Sequence, residues 1–203
     1  TYVPGLGVAA LNQTGAAQYD QTNTFVGGTA TENIRLTSST TIPTGGSTVN
    51  SVTMTGSNIA LSFTNASDVL NLVSGGLIGP NNNQSIGAAV DSGRITVGGA
   101  APAANTDLYL YNRSNTLTVN SRLVDNVNGS GSSLRVVLTA SGGSINLVNT
   151  SASYTGGTVI NGGTVNLLAS ATGVTVPLAT TAANGLIVNN ATVTMGSSTN
   201  TVA

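Results

Sequence analysis

Few side chains in this sequence are equipped for chemistry. Six carboxylates (Asp20, Glu32, Asp68, Asp91, Asp107, Asp125), five guanidiniums (Arg35, Arg94, Arg113, Arg122, Arg135) and five tyrosines are the ionisable side chains in 203 residues; lysine, histidine and cysteine are absent. Without histidine there is no imidazole-based triad, no histidine-ligated zinc and no imidazole proton shuttle. Without cysteine there is no disulfide framework, thiolate metal site or thiol nucleophile. The lack of cysteine suits bacterial surface proteins that cross an oxidising periplasm.

The carboxylates are the remaining candidates. Glycoside hydrolysis uses two of them a few ångströms apart. Asp68 and Asp91 are 23 residues apart and Asp107 and Asp125 are 18 apart, so Asp68 and Asp91 can stack on neighbouring turns of a coiled chain as a carboxylate pair or a Ca²⁺ site. No third acid follows in register, and the competing reading is surface charges partnered by Arg94 and Arg113. Asp125-Asn-Val-Asn-Gly129 faintly suggests a calcium loop. Val127, however, stands where an oxygen ligand is needed and no glutamate closes the loop, which leaves an Asn-Gly turn. The sequence therefore assigns no catalytic residue, no cofactor and no metal.

Tyrosines offer a different chemistry. In Asp107-Leu-Tyr-Leu-Tyr-Asn-Arg113 the alternation places Leu108 and Leu110 on one side of a strand and Tyr109 and Tyr111 on the other, about 6.6 Å apart. Exposed, they form a contact surface or a carbohydrate-stacking platform; the alternative is that a loop such as 80–92 covers them. Tyr2, Tyr19 and Phe25 fall within residues 1–28, which lack clear alternation. That segment reads either as a cap over an open end or as an arm that docks on a neighbouring subunit.

Composition limits what must position these groups. Thr, Gly, Asn and Ser supply 103 residues, charged residues are 5% and the net charge is −1. Five scattered arginines cannot form the basic patch that nucleic acid requires. Apolar runs end after three or four residues, far short of the roughly 20 needed to span a bilayer. The chain shows no leader-like segment and reads as a mature chain or as a piece of a longer one.

Period-two alternation recurs along the sequence, for example at Asn33-Ile-Arg-Leu36, Ile59-Ala-Leu-Ser-Phe63, Arg94-Ile-Thr-Val97, Leu117-Thr-Val119 and Ile145-Asn-Leu-Val148, with Gly, Asn or Ser clusters between. The class is all-β. Gly-Gly pairs begin at 27, 45, 75, 98, 142, 156 and 162, and several intervals suit a step of 20 to 23 residues. Such a step fits one turn of a parallel β-helix; a β-sandwich is the alternative. Asn71, Asn146 and Asn166 each precede an apolar pair, as an amide ladder between stacked turns requires.

Ser151-Ala-Ser-Tyr-Thr-Gly-Gly-Thr-Val-Ile-Asn-Gly-Gly-Thr-Val165 closely resembles the passenger-associated repeat of bacterial autotransporters. The matching positions are Tyr154, Thr155, Gly156, Gly157, Thr158, Asn161, Gly162, Gly163 and Thr164. Ala152 departs from the usual asparagine, only one full copy is present, and the strong likeness covers about residues 134–168. The resemblance implies a right-handed parallel β-helix exported to a bacterial surface, with an adhesive or structural role. It also implies a C-terminal translocator barrel, which these residues do not include.

The combined expectation is residues 1–28 as cap or assembly arm and residues 29–203 as a β-helix of about eight to ten rungs. The expected role is non-enzymatic: an extracellular or cell-surface structural or adhesive element. It is displayed singly or assembled into a filament, sheath or surface layer, with itself or host and cell-surface glycans as partners. A β-helical polysaccharide-active enzyme or carbohydrate-binding module is the alternative.

Overall fold

The structure, a computed structural model, describes residues 2–3, 7–8, 19–129, 132–168, 176 and 185–196. Its described residues contain strands and turns but no helix, so no helix is long and apolar enough to cross a membrane. One sheet of 15 strands, parallel throughout, coils on itself to present three faces.

The first face stacks β3 (Gln21–Thr22), β4 (Asn33–Leu36), the second halves of β6 (Ser47–Met54) and β8 (Val69–Gly79), β11 (Asn105–Asn112), β14 (Ser133–Ala140), and the first halves of β16 (Thr158–Leu167) and β17 (Leu186–Met195). The second stacks β5 (Thr40–Ile42), β7 (Ala60–Phe63), β9 (Gln84–Ile86), β12 (Asn115–Val119), β15 (Gly143–Leu147) and the second halves of β16 and β17. The third carries the first halves of β6 and β8, then β10 (Arg94–Val97), β13 (Arg122–Leu123) and a bridge from Val124 to Ser153. This is a parallel β-helix, with eight levels on the first face. A separate antiparallel pair, β1 (Tyr2–Val3) and β2 (Gly7–Val8), lies near the start of the chain.

Strand alternation decides which side chains fill the bore. Ile34, Val52, Leu77, Leu110, Leu138 and Ile160 follow one another in register and are fully buried. Ile86, Val119, Leu147 and Leu167 do the same on the second face, and Val49, Leu72 and Val97 on the third. Each apolar column removes side chains from water while the backbone groups bond to the coils above and below. Phe25 joins this core at 3% exposure.

The uniform step expected from the Gly-Gly pairs does not hold. Ile34 to Val52 is 18 residues, Leu77 to Leu110 is 33 and Leu110 to Leu138 is 28. The pairs at 75 and 98 do turn the chain from the third face to the first on successive coils, and those at 142 and 162 turn it from the first to the second. The interval from 98 to 142 compares different corners and is not a whole number of turns. The longest coil gains its residues in segments 87–93 and 98–104, more than at the Pro80–Gln84 stretch where an insertion was expected.

Candidate functional site

The matched motif lies at the corner leading from the third face to the first and along β16. Tyr154 points into the core at 1% exposure, where its hydroxyl and the Thr158 hydroxyl are 2.6 Å apart. Burial pushes the phenol well above its ordinary range, and the Thr158 hydrogen bond only partly offsets this. The Thr155 amide and hydroxyl donate to the Asp125 carboxylate at 3.0 and 2.8 Å. Asn161 accepts from Asn189 one coil on, at 2.9 Å. The motif residues therefore knit three successive coils together. Replacing Tyr154 by Phe leaves Thr158 without its buried partner and is expected to cost about 1 kcal/mol in a urea titration.

The acids hold corners. Asp68 accepts from the Gly45 and Asn65 amides at 2.9 and 2.6 Å, and Asp91 from the amides and hydroxyls of Thr150 and Ser151 at 2.5 to 3.2 Å. Asp68 thus reaches toward the first coils and Asp91 toward later ones, and the expected stacked pair is not formed. No group of three or more acids able to hold a metal is gathered among the described residues. Asp125 likewise binds the Leu134 amide at 2.7 Å besides Thr155, so Asp125–Gly129 is a turn tied to its neighbours.

Desolvation opposes ionisation of Asp68 and Asp91, but the converging donors outweigh it and both carboxyls lie below their ordinary value. Asp107 is also lowered, chiefly by its hydrogen bonds from Arg135. A depressed folded pKa gives stability that is present above the unfolded value and lost as the pH falls through the folded one. With no histidine, no side chain has an ordinary pKa between about 5 and 8. The melting temperature is expected to be flat from pH 5 to 8 and to fall below about pH 4, with Asp91→Asn removing part of that acid dependence. A sloping melting curve between pH 5 and 8 would contradict this.

On the first face the two tyrosines do point outward. Tyr109 is 49% exposed and donates to Asp107 at 2.9 Å; that carboxylate also receives both Nε and Nη2 of Arg135 at 2.8 Å, the one ion pair among the described residues. Segment 80–92 does not cover Tyr109. Tyr111 is half-buried, with its hydroxyl 2.8 Å from that of Ser141. Register places Val137, Val159 and Ile187 in line with Tyr109, and Ile78 beside Tyr111. The result is an apolar stripe along the coil axis. Sequence reading found its tyrosines but not its aliphatics, because the members lie on different coils of unequal length.

The other aromatics named from the sequence are not brought to this stripe. Tyr19 lies under the Arg35 guanidinium, 5.6 Å from ring centroid to charge, an arrangement worth about 0.5–1 kcal/mol at exposed sites. Phe25 is core and offers no contact surface, because its ring closes the first coils against water. Tyr2 lies in β1, and its side chain is outside the description.

Two of the expected amide contacts take different forms. Asn146 and Asn166 do form a ladder, at 2.7 Å. Asn71 lies on the third face instead and clamps the Gly99 backbone, donating to its carbonyl at 3.0 Å and accepting from its N–H at 2.9 Å. Asn126, one coil on, donates to the same carbonyl at 2.8 Å.

The class that these elements define is a parallel β-helix with an outward apolar stripe and a closed set of corner carboxylates. No family model matches the chain, and neither a curated protein nor a solved structure matches it.

Proposed function

We propose that this chain is an extracellular bacterial structural or adhesive β-helix of autotransporter-passenger type that associates end to end. The observation that carries this reading is the last described coil. Val188 and Met195 continue the inward columns of Ile160 and Leu167, yet they remain 44% and 41% exposed, whereas Ile160 and Leu167 are 0% and 2%. Among the described residues β17 pairs only with β16, so its outer edge offers unpaired backbone groups beside apolar side chains. At the other end β5 pairs only with β7 and leaves the second face open. One open edge at each end favours head-to-tail contact, which extends rather than closes. A net charge of −1 opposes it little. The role is structural or adhesive rather than catalytic, since Asp68, Asp91, Asp107 and Asp125 are all committed to fixed donors.

Negative-stain electron microscopy over a concentration series tests this. Fibres or sheets of constant width that lengthen with concentration are expected. Short isolated rods at every concentration would remove the end-to-end association and leave a singly displayed passenger.

A further inference from the structure

The third face carries two of the five arginines in direct register. Arg94 and Arg122 are partners on neighbouring parallel strands, β10 and β13, about 4.8 Å apart along the coil axis. Like charges placed opposite one another repel, and no carboxylate among the described residues forms an ion pair with either. Arg122 is steadied by one bond, from Nη2 to the Ala66 carbonyl at 2.8 Å, while its Nε is buried without an acceptor. The Arg94 guanidinium has no partner among the described residues.

These guanidiniums line a groove. A cavity of about 380 Å³ bordered by Ser47, Thr48, Asn71, Arg94 and Thr96 adjoins one of about 340 Å³ bordered by Arg94, Arg122, Ser151 and Ser153; the two share Arg94, Val124, Asp125 and Val127. The Thr96 side chain borders the first cavity, the residue is 4% exposed, and its hydroxyl has no hydrogen-bond partner. Buried hydroxyls and guanidinium nitrogens ordinarily find partners, so two left open along one groove mark where a ligand's oxygens fit. Asp125, the acid in the lining, is already engaged by Leu134 and Thr155.

We infer that this groove binds an anionic polysaccharide, with a carboxylate or sulfate of the glycan bridging Arg94 and Arg122 and sugar hydroxyls meeting Thr96 and the serines beside it. Planar guanidiniums match such oxyanions through paired, charge-assisted hydrogen bonds. The groove crosses five coils, from Thr48 to Ser153, which at the sheet spacing is roughly 19 Å. That is long for a simple inorganic ion and suits a chain of several sugars. Two arginines in a chain of net charge −1 are too few for the phosphate ladder of nucleic acid. This inference deepens the adhesive part of the proposed function and rests on it, but the two are tested separately.

The test is calorimetric titration of the full chain, below any fibre-forming concentration, with hexagalacturonate, a sulfated hexasaccharide, neutral maltohexaose and monomeric galacturonate. One or both acidic hexasaccharides are expected to bind, more weakly as salt rises, and the two arms show whether carboxylate or sulfate is preferred. Maltohexaose and the monomer are expected to bind at least tenfold more weakly. Arg94→Gln with Arg122→Gln is expected to weaken binding tenfold or more, and Thr96→Val severalfold, while Arg113→Gln, an exposed arginine outside the groove, leaves it unchanged. NMR of the unaltered chain provides a readout independent of any variant's folding, because the Arg94 and Arg122 Nε–H signals must shift on addition of the bound hexasaccharide. No binding of either acidic hexasaccharide, equal affinity for the monomer, or undiminished binding by the double variant would overturn the inference. A chain that forms fibres yet binds neither acidic glycan would overturn this inference alone.

Discussion

Gly163→Ala is expected to destabilise the chain by about 3 kcal/mol or more, while Gly162→Ala, its neighbour in the same Gly-Gly pair, costs only about 1–2 kcal/mol. Both glycines have positive φ, +81° and +100°, so a side chain at either carries the left-handed penalty. They differ in surroundings. A Cβ on Gly163 would lie 1.7 Å from the Ala140 carbonyl oxygen and 2.6 Å from its carbon, backbone of the preceding coil that cannot turn aside. A Cβ on Gly162 would meet only the Asn190 carbonyl, at 3.8 Å. The first substitution must part β14 from β16; the second only strains a corner. At roughly 2–4 °C per kcal/mol for a chain of this size, thermal melting should separate the two variants by several degrees. Equal losses would mean that conformation alone, and not the close packing of coils, requires the pair.

The second large effect concerns assembly. Val188→Lys combined with Met195→Lys is expected to abolish fibres at concentrations where the unaltered chain forms them, while changing the melting of the single molecule by less than about 1 kcal/mol. Both positions are over 40% exposed in the isolated chain, so lysine there keeps its charge in water. A second copy seated on β17 would bury both ammonium groups without partners. That cost, with the lost apolar contact, amounts to at least about 3 kcal/mol, or more than a hundredfold in association. Sedimentation velocity across a concentration series measures it directly. Fibres that persist in the double variant would move the contact to the lateral stripe of Tyr109 and Ile187, where Tyr109→Ser would be the informative change.

Much of the architecture is written locally. Alternation such as Asn33-Ile-Arg-Leu36 or Ile145-Asn-Leu-Val148 marks a strand and its inner face wherever it occurs, because side chains on a strand point alternately to the two sides of the sheet. The near absence of charge and the wealth of Gly, Asn, Ser and Thr at the breaks are equally plain without coordinates. From these the all-β class, the coiled parallel sheet and the outward direction of Tyr109 and Tyr111 could be read. What the sequence could not supply was the length of each coil. Corners such as 87–93 and 98–104 add residues without altering the strands they join, so no constant period links one level to the next.

That variable spacing hid the sites. Asp68 and Asp91, 23 residues apart, have the expected interval and do not meet; Arg94 and Arg122, 28 apart, sit side by side. Phe25 gives no local sign that it is core rather than surface. By itself the sequence determined the strands, their inner faces and the chemistry that the chain lacks, because those depend on alternation and composition alone. Only the tertiary structure decided which residues of successive coils become neighbours, because the hydrogen-bond register between coils sets that, whatever the length of chain looping out at the corners.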